Sequence, residues 1–481
     1  MRRMTGSASA AGTGDPGSNN PTAWSASTTA AKVGGRTISA VEVVEAHLVR
    51  LAELNPRLNA VTRLNANALA EASAVDRAVA AGRSLPLAGV PVTIKDNVDV
   101  AGQSTPNGVR ALDGVVATVD APLVESLRAA GAVVIGRTNT PEFSWRWHTD
   151  NPLFGATVNP WDHTRTPGGS SGGGAAALSV GIGCLAHGND AGGSLRWPAN
   201  CCGVAALKPT VGRIPGHNLT AAGERPLGIE LVAAQGPMAR SVADLRLMFE
   251  VMANGSWRDP SYVPAPFAVM SGLRAGWCLG AGAPAHPDVA DAVAQACAAL
   301  EERGWSVREA SVPDLATSAR GWATLINTDF HMRSRAPMLE HGSPAIAAML
   351  DAFDAFGPAV DLPGMYALLA TRSAQVREWQ RMLTEDFDVI VLPVAMEPAW
   401  PVDDDMTSQA RLLDIFAANT PLVAFNFLGL PAVAQPTSVV HGCPVGVQIV
   451  ARRFAEHVAL EAAAAIEVAL GWLEQSGTPL A

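Results

Sequence analysis

Apolar positions in this chain recur at helical spacing in some stretches and in short unbroken runs in others, and the two patterns alternate to its end. Val41, Val44, Leu48 and Leu51 share one helix face. Ser39 and Glu42 form a capping box at the start of that helix, with Ile38 and Val43 at the staple positions. Residues 89–95 (GVPVTIK) read as a buried strand. Residues 122–130 read as a helix closed by Gly131, and 132–135 as the next strand. The pattern returns as a helix over 287–303, ended by Gly304, and a strand from Trp305. Residues 387–392 and 445–450 are further apolar strands, and a helix over about 455–470 follows. Such alternation predicts an α/β architecture with helices covering a large sheet.

Two stretches break the pattern. Residues 1–24 are rich in Gly, Ser, Ala, Asn and Pro and read as a mobile tail. Residues 167–194 hold ten glycines, a density that implies tight turns or close approach of the backbone to a ligand. A flexible linker does not fit, because apolar residues 175–178 and 182–185 interrupt the glycines.

Composition narrows the class. The chain has 481 residues, 48% apolar and 16% charged, which excludes both a disulfide-stapled mini-domain and a mainly disordered chain. Net charge is −10, so no basic footprint for nucleic acid is expected. The six cysteines show no paired spacing for zinc or for a disulfide framework, which points to a reducing compartment. Arg2 and Arg3 are not followed by an apolar segment, so no secretory signal is expected. No apolar run reaches the length of about 18 residues that a membrane span needs, and a cytoplasmic location is expected.

Only three of the basic residues are lysines: Lys32, Lys95 and Lys208. Lys95 ends an apolar strand, where burial would lower its pKa and make it a general base. The alternative is a plain ion pair with an acid such as Asp96. Residues 168–172 (GGSSG) match a nucleophile elbow in form, but a polar loop precedes them where the elbow requires a strand. Residues 188–196 (GNDAGGSLR) can form a nest of backbone N–H groups that holds an anion, with a serine at its end, or a plain Asp-Gly turn. Residues 181–186 loosely match a dinucleotide fingerprint but do not lie between a strand and a helix start.

Taken together, these segments resemble the amidase signature family. Residues 166–173 (TPGGSSGG), 192–199 (GGSLRWPA) and 202–210 (CGVAALKPT) are similar to its glycine/serine signature, and 89–97 (GVPVTIKDN) to its lysine segment. Residues 136–143 (GRTNTPEF) and 151–162 (NPLFGATVNPWD) are similar to its linking region. Residues 236–245, 429–432 and 444–450 also fit, so the similarity runs from about 27 to near 472.

The resemblance implies one α/β domain over 25–475, with a large mixed β-sheet covered by helices on both faces. It also implies a variable substrate-pocket region at about 250–410. Carried over, Ser194 is the nucleophile, Ser170 the bridging serine after a cis Gly169–Ser170 peptide, and Lys95 the base. The N–H groups of Ala191, Gly192, Gly193 and Ser194 would form the oxyanion hole, supported by Gly169, Ser171, Asp190 and Arg196. No metal or organic cofactor is implied. Where the family often carries Ser or Thr before the aspartate, this chain has Asn189.

Aromatic and Met residues Phe143, Trp145, Trp147, Trp322, Phe330, Met332, Met338, Tyr366 and Trp379 are pocket candidates, and as a group they suggest a wide apolar site. The expected activity is hydrolysis of bulky or aryl amides through an acyl-enzyme, extending to carbamates (urethanes) and esters. The expected partner is a small-molecule amide or carbamate, with no nucleic acid or membrane, and the protein is expected to be a monomer or homodimer. The competing readings are a glutamine-hydrolysing subunit of a tRNA-dependent amidotransferase and a non-catalytic binding protein that keeps the fold.

Overall fold

A computed structural model describes residues 20–267, 272–280 and 282–471. Its strands are β1 Val61–Leu64, β2 Pro91–Lys95, β3 Val133–Thr138, β4 Leu185–Asp190, β5 Ala205–Lys208 and β6 Ala234–Ala239, then β7 Arg274–Trp277, β8 Ser306–Glu309, β9 Val389–Pro393, β10 Ala432–Val440 and β11 Cys443–Ala451. They form one sheet in the order β1-β3-β2-β4-β6-β5-β10-β11-β9-β7-β8. The sheet is mixed: β2 runs parallel to β3 and β4, β7 runs parallel to β8 and β9, and the remaining pairings are antiparallel.

Alternation along the buried strands sends side chains to two cores. Val133 and Ile135 join one, and Val134 between them joins the other. Helix Ala40–Leu58 covers the first face with Val43, Val44 and Leu51. Helices Val242–Met252 and Glu456–Leu470 cover the opposite face with Leu245, Met248, Leu460 and Ile466. The sheet is therefore dressed on both sides, as the family resemblance implied.

Local signals behave as their chemistry dictates. The Ser39 side chain accepts from the Glu42 N–H, and the Glu42 carboxylate accepts from the Ser39 N–H. Helix Pro122–Ala129 begins at a proline, and Gly131 leaves it at φ +93°. The tail boundary needs correction. Residues 1–19 lie outside the described residues, but Pro21–Ala23 form a helical turn and Trp24 is buried. Arg240 donates to the Trp24 carbonyl at 2.8 Å, which ties this segment to the end of β6. Among the described residues no helix is long and apolar enough to cross a membrane.

The middle of the chain builds a helical layer beyond the sheet. Helix Leu315–Asp329 passes through a π-helical turn at Phe330–Ser334 into Arg335–His341, and Pro344–Phe356 and Leu362–Glu385 follow. Gly321 lets the first of these approach helix Thr420–Leu428, because a Cβ there would lie 2.7 Å from the Phe427 ring.

Candidate active site

Two adjacent parallel strands converge on the site. β2 ends at Lys95 and β4 ends at Asp190, so their C-terminal ends open on the same side of the sheet. Lys95 is fully buried, and its Nζ lies 2.7 Å from Ser170 Oγ and 2.8 Å from Asn189 Oδ1. Burial pushes the Lys95 ammonium well below the usual lysine range, against the pull of Asp190. A neutral amine here donates to Asn189 and keeps a lone pair for the Ser170 hydroxyl. Asn189 is held in turn: its Nδ2 donates to Asn97 Oδ1 at 2.8 Å, and Asn97 Nδ2 donates to Ser144 Oγ at 2.9 Å.

The peptide Gly169–Ser170 is cis. Only glycine fits at 169, since a Cβ would come within 2.4 Å of the Arg146 carbonyl oxygen. Ser171 ties the serine pair to the second loop, its N–H donating to the Ser194 carbonyl at 3.1 Å and its Oγ to the Asn189 carbonyl at 3.3 Å.

The loop of residues 190–196 is organised around one buried ion pair. Asp190 accepts from Arg196 Nε and Nη2, both at 3.0 Å, and from Asn426 Nδ2 at 2.9 Å. Burial opposes ionisation of Asp190, yet the Arg196 guanidinium holds its carboxyl well below the usual range. Arg196 also donates to Gln448 Oε1 at 3.0 Å and Asn426 Oδ1 at 2.7 Å. Asn426 and Gln448 were not singled out from the sequence, because they lie more than 200 positions downstream and are generic polar residues within apolar segments.

One oxyanion candidate is corrected. The Gly193 N–H donates to Asp190 Oδ1 at 2.7 Å, so the carboxylate already occupies it. Among the described residues, the N–H groups of Ala191, Gly192 and Ser194 have no such partner. Two carbonyls of this loop are capped by tryptophans: Trp322 Nε1 donates to Ala191 O at 2.6 Å, and Trp147 Nε1 to Gly192 O at 2.7 Å.

Ser170 and Ser194 face a cleft of about 320 Å³. Part of its wall is aromatic and apolar: Phe143, Trp145, Trp147, Trp322, Met349 and Phe353. Polar side chains also line it, among them Asn97, Asn107, Asn218, Arg225 and Gln235. Phe330 backs the apolar wall from behind, edge-on to Trp145 with ring centres 4.9 Å apart. Met332 and Tyr366 are not in the cleft. They are 76% and 69% exposed, because the π-helical turn and the first turns of helix Leu362–Glu385 turn those positions outward. Met338 and Trp379 are core residues, the latter packed edge-on to Phe425. Phe353 and the polar lining were missed, since nothing in their local sequence separates them from ordinary core or loop residues.

The sequence pattern of the amidase family matches residues 42–460. An indoleacetamide hydrolase of Bradyrhizobium diazoefficiens is 45% identical over 94% of this chain and 87% of its own length. A glutamyl-tRNA(Gln) amidotransferase component of Deinococcus radiodurans is 34% identical over 85% of this chain and 90% of its own. Among solved structures, a bacterial aryl acylamidase superposes with TM-score 0.80 at 25% identity over 94% of this chain and 97% of that one. A 6-aminohexanoate cyclic dimer hydrolase bound to substrate also superposes with TM-score 0.80, at 27% identity over 95% and 98%. With the sequence pattern, close relatives and the whole fold in agreement, this chain belongs to the amidase signature family and is an amide hydrolase by descent.

Proposed function

We propose that the protein hydrolyses aryl-substituted amides, with primary amides of arylacetic acids as the leading class, through an acyl-enzyme on Ser194. The observation that carries this is the fully buried Lys95 Nζ, 2.7 Å from Ser170 Oγ, beneath a cleft that Ser194 shares with three tryptophans. Neutral Lys95 takes the Ser194 proton through Ser170, and Ser194 Oγ bonds to the substrate carbonyl carbon. The Ala191, Gly192 and Ser194 N–H groups receive the oxyanion. As the C–N bond breaks, the proton returns to the leaving nitrogen by the same relay. Water then cleaves the acyl-enzyme, giving acid and restoring the serine.

The substrate class follows from the aromatic wall and from the relative named for indoleacetamide. Aryl carbamates and esters present the same carbonyl to the same groups and are proposed as secondary substrates. The protein is assayed against indoleacetamide, an anilide, an aryl carbamate, an aryl ester, a short aliphatic amide and glutamine, with Ser194→Ala as the blank. Aryl amide turnover that the blank lacks is expected. Turnover of glutamine alone would replace this reading with that of an amidotransferase component.

Ser194→Ala is expected to lose more than about 1,000-fold in kcat. Lys95→Ala and Ser170→Ala should each be severe, and the double variant no worse than the poorer single one, because the two groups act as one relay. Multiplicative losses in the double variant would contradict the relay.

A further inference from the structure

The aromatic wall does more than border the substrate. In a planar trans peptide the carbonyl and the following N–H point in opposite directions, so whatever fixes the carbonyl also aims that N–H. Trp322 Nε1 holds the Ala191 carbonyl at 2.6 Å, which fixes the Gly192 N–H. Trp147 Nε1 holds the Gly192 carbonyl at 2.7 Å, which fixes the Gly193 N–H, and that N–H is found on Asp190 Oδ1 at 2.7 Å. The indole rings thus occupy two carbonyl dipoles that would otherwise be free to turn toward a developing negative charge.

The packing is as specific as the hydrogen bonds. A Cβ on Gly192 would lie 2.6 Å from Cζ2 of Trp322, so the ring sits directly on this backbone. Trp322 is 1% exposed on helix Leu315–Asp329 and is braced by Phe353, with ring centres 5.2 Å apart. Trp147 is anchored separately, its carbonyl accepting from Trp197 Nε1 at 3.1 Å. The two indoles reach the loop from different parts of the chain and cap consecutive peptides.

We infer that Trp322 is a positioning residue that aims the Gly192 N–H at the oxyanion, in addition to its place in the aromatic wall, while Trp147 keeps the neighbouring Gly193 N–H on Asp190. The inference rests on the proposal that Ser194 is the nucleophile. A residue that only lines the wall and one that aims the hole differ in what they do to a substrate too small to reach the wall. The test compares Trp322→Phe with the unaltered protein on an arylacetamide and on propionamide. Both are also timed for inactivation by methanesulfonyl fluoride, which needs only the Lys95–Ser170–Ser194 relay and the hole.

Loss of one oxyanion donor costs about 10²–10³ in kcat, so a residue acting at one remove should cost about tenfold or more. That loss is expected in kcat for both amides and in the sulfonylation rate, with KM for propionamide unchanged. A defect confined to the arylacetamide, or carried in its KM with normal sulfonylation, would overturn the inference. Where propionamide is not turned over, the sulfonylation rate decides alone. An unaltered protein that hydrolyses no amide yet is sulfonylated at Ser194 would sink the substrate proposal and still decide this one. A protein that resists sulfonylation would sink both. Should Trp322→Phe melt early, the benzothienyl analogue of tryptophan at 322 keeps the bicyclic shape without the N–H and serves in its place.

Discussion

Lys95 sets the acid–base behaviour of the site. Its ammonium is disfavoured by burial, and Asn189 Oδ1 accepts from the amine whether or not it is charged. A base of this kind is active when deprotonated. The rate, as kcat/KM, is therefore expected to climb with pH through the lowered Lys95 pKa and to level off below the ordinary lysine value of about 10.4. Asn189→Asp would set a carboxylate beside the Nζ, favour the ammonium, and move that limb to higher pH, as a pH–rate profile of the two proteins would reveal. A limb that stays put would mean Lys95 is not the titrating base. Lys95 was legible in sequence because a rare lysine closed an apolar run. Asn189 stood out in sequence only as a departure from the family pattern, because its distance from Lys95 depends on β2 and β4 lying side by side.

At the level of elements, boundaries followed local chemistry closely. The capping box, the N-terminal prolines and the terminating glycines lie where the structure starts and stops its helices. What local pattern could not supply was the facing of the middle helices. Trp322, Phe330, Met332 and Tyr366 are all large and apolar or amphipathic, yet the first lines the cleft, the second backs it and the last two meet solvent. Their orientation follows from packing against helix Thr420–Leu428 and the Trp145–Trp147 loop, which are remote in sequence. Trp145→Ala is accordingly expected to weaken arylacetamide turnover by about tenfold or more, since its half-buried ring lines the cleft and burying a large apolar group is worth about 1.5–3 kcal/mol. Tyr366→Ala and Met332→Ala should leave kcat and KM unchanged. Steady-state kinetics on the three variants would check this, and a defect in either surface variant would place its helix over the cleft.

Across the whole molecule, strand order was not legible, since pairs such as β5 with β10 join segments more than 200 residues apart. The α/β class and the run of signature motifs were legible, because they depend on local periodicity and contiguous residues. The sheet also buries a lysine that the proposed chemistry does not use. Lys208 is fully buried at the end of β5 and donates to the Pro209 carbonyl, and burial together with Arg196 pulls its ammonium down to about 7. In the unfolded chain it titrates near the ordinary value of about 10.4. Between those two pH values the unfolded state binds the extra proton, so this group makes stability rise with pH from about 7 to 10, while below 7 its cost is constant. Lys208→Met is expected to melt higher than the unaltered protein at pH 6.5, with the gap shrinking by pH 9.5. A gap that does not change with pH would mean the ammonium is well solvated.

The cleft draws its parts from three separate stretches of chain, of which residues 218–235 supply part of the polar lining. The reacting groups come from residues 95–194, and much of the apolar wall comes from 322–353. Such a division lets selection or an engineer rewrite what is admitted while leaving how it is cut. Grafting the 315–356 helices of a relative onto this sheet should transplant substrate range as a block. Trp322 is the seam in that graft, because its indole belongs to both halves. A donor segment lacking a tryptophan there would carry its specificity across and leave turnover behind.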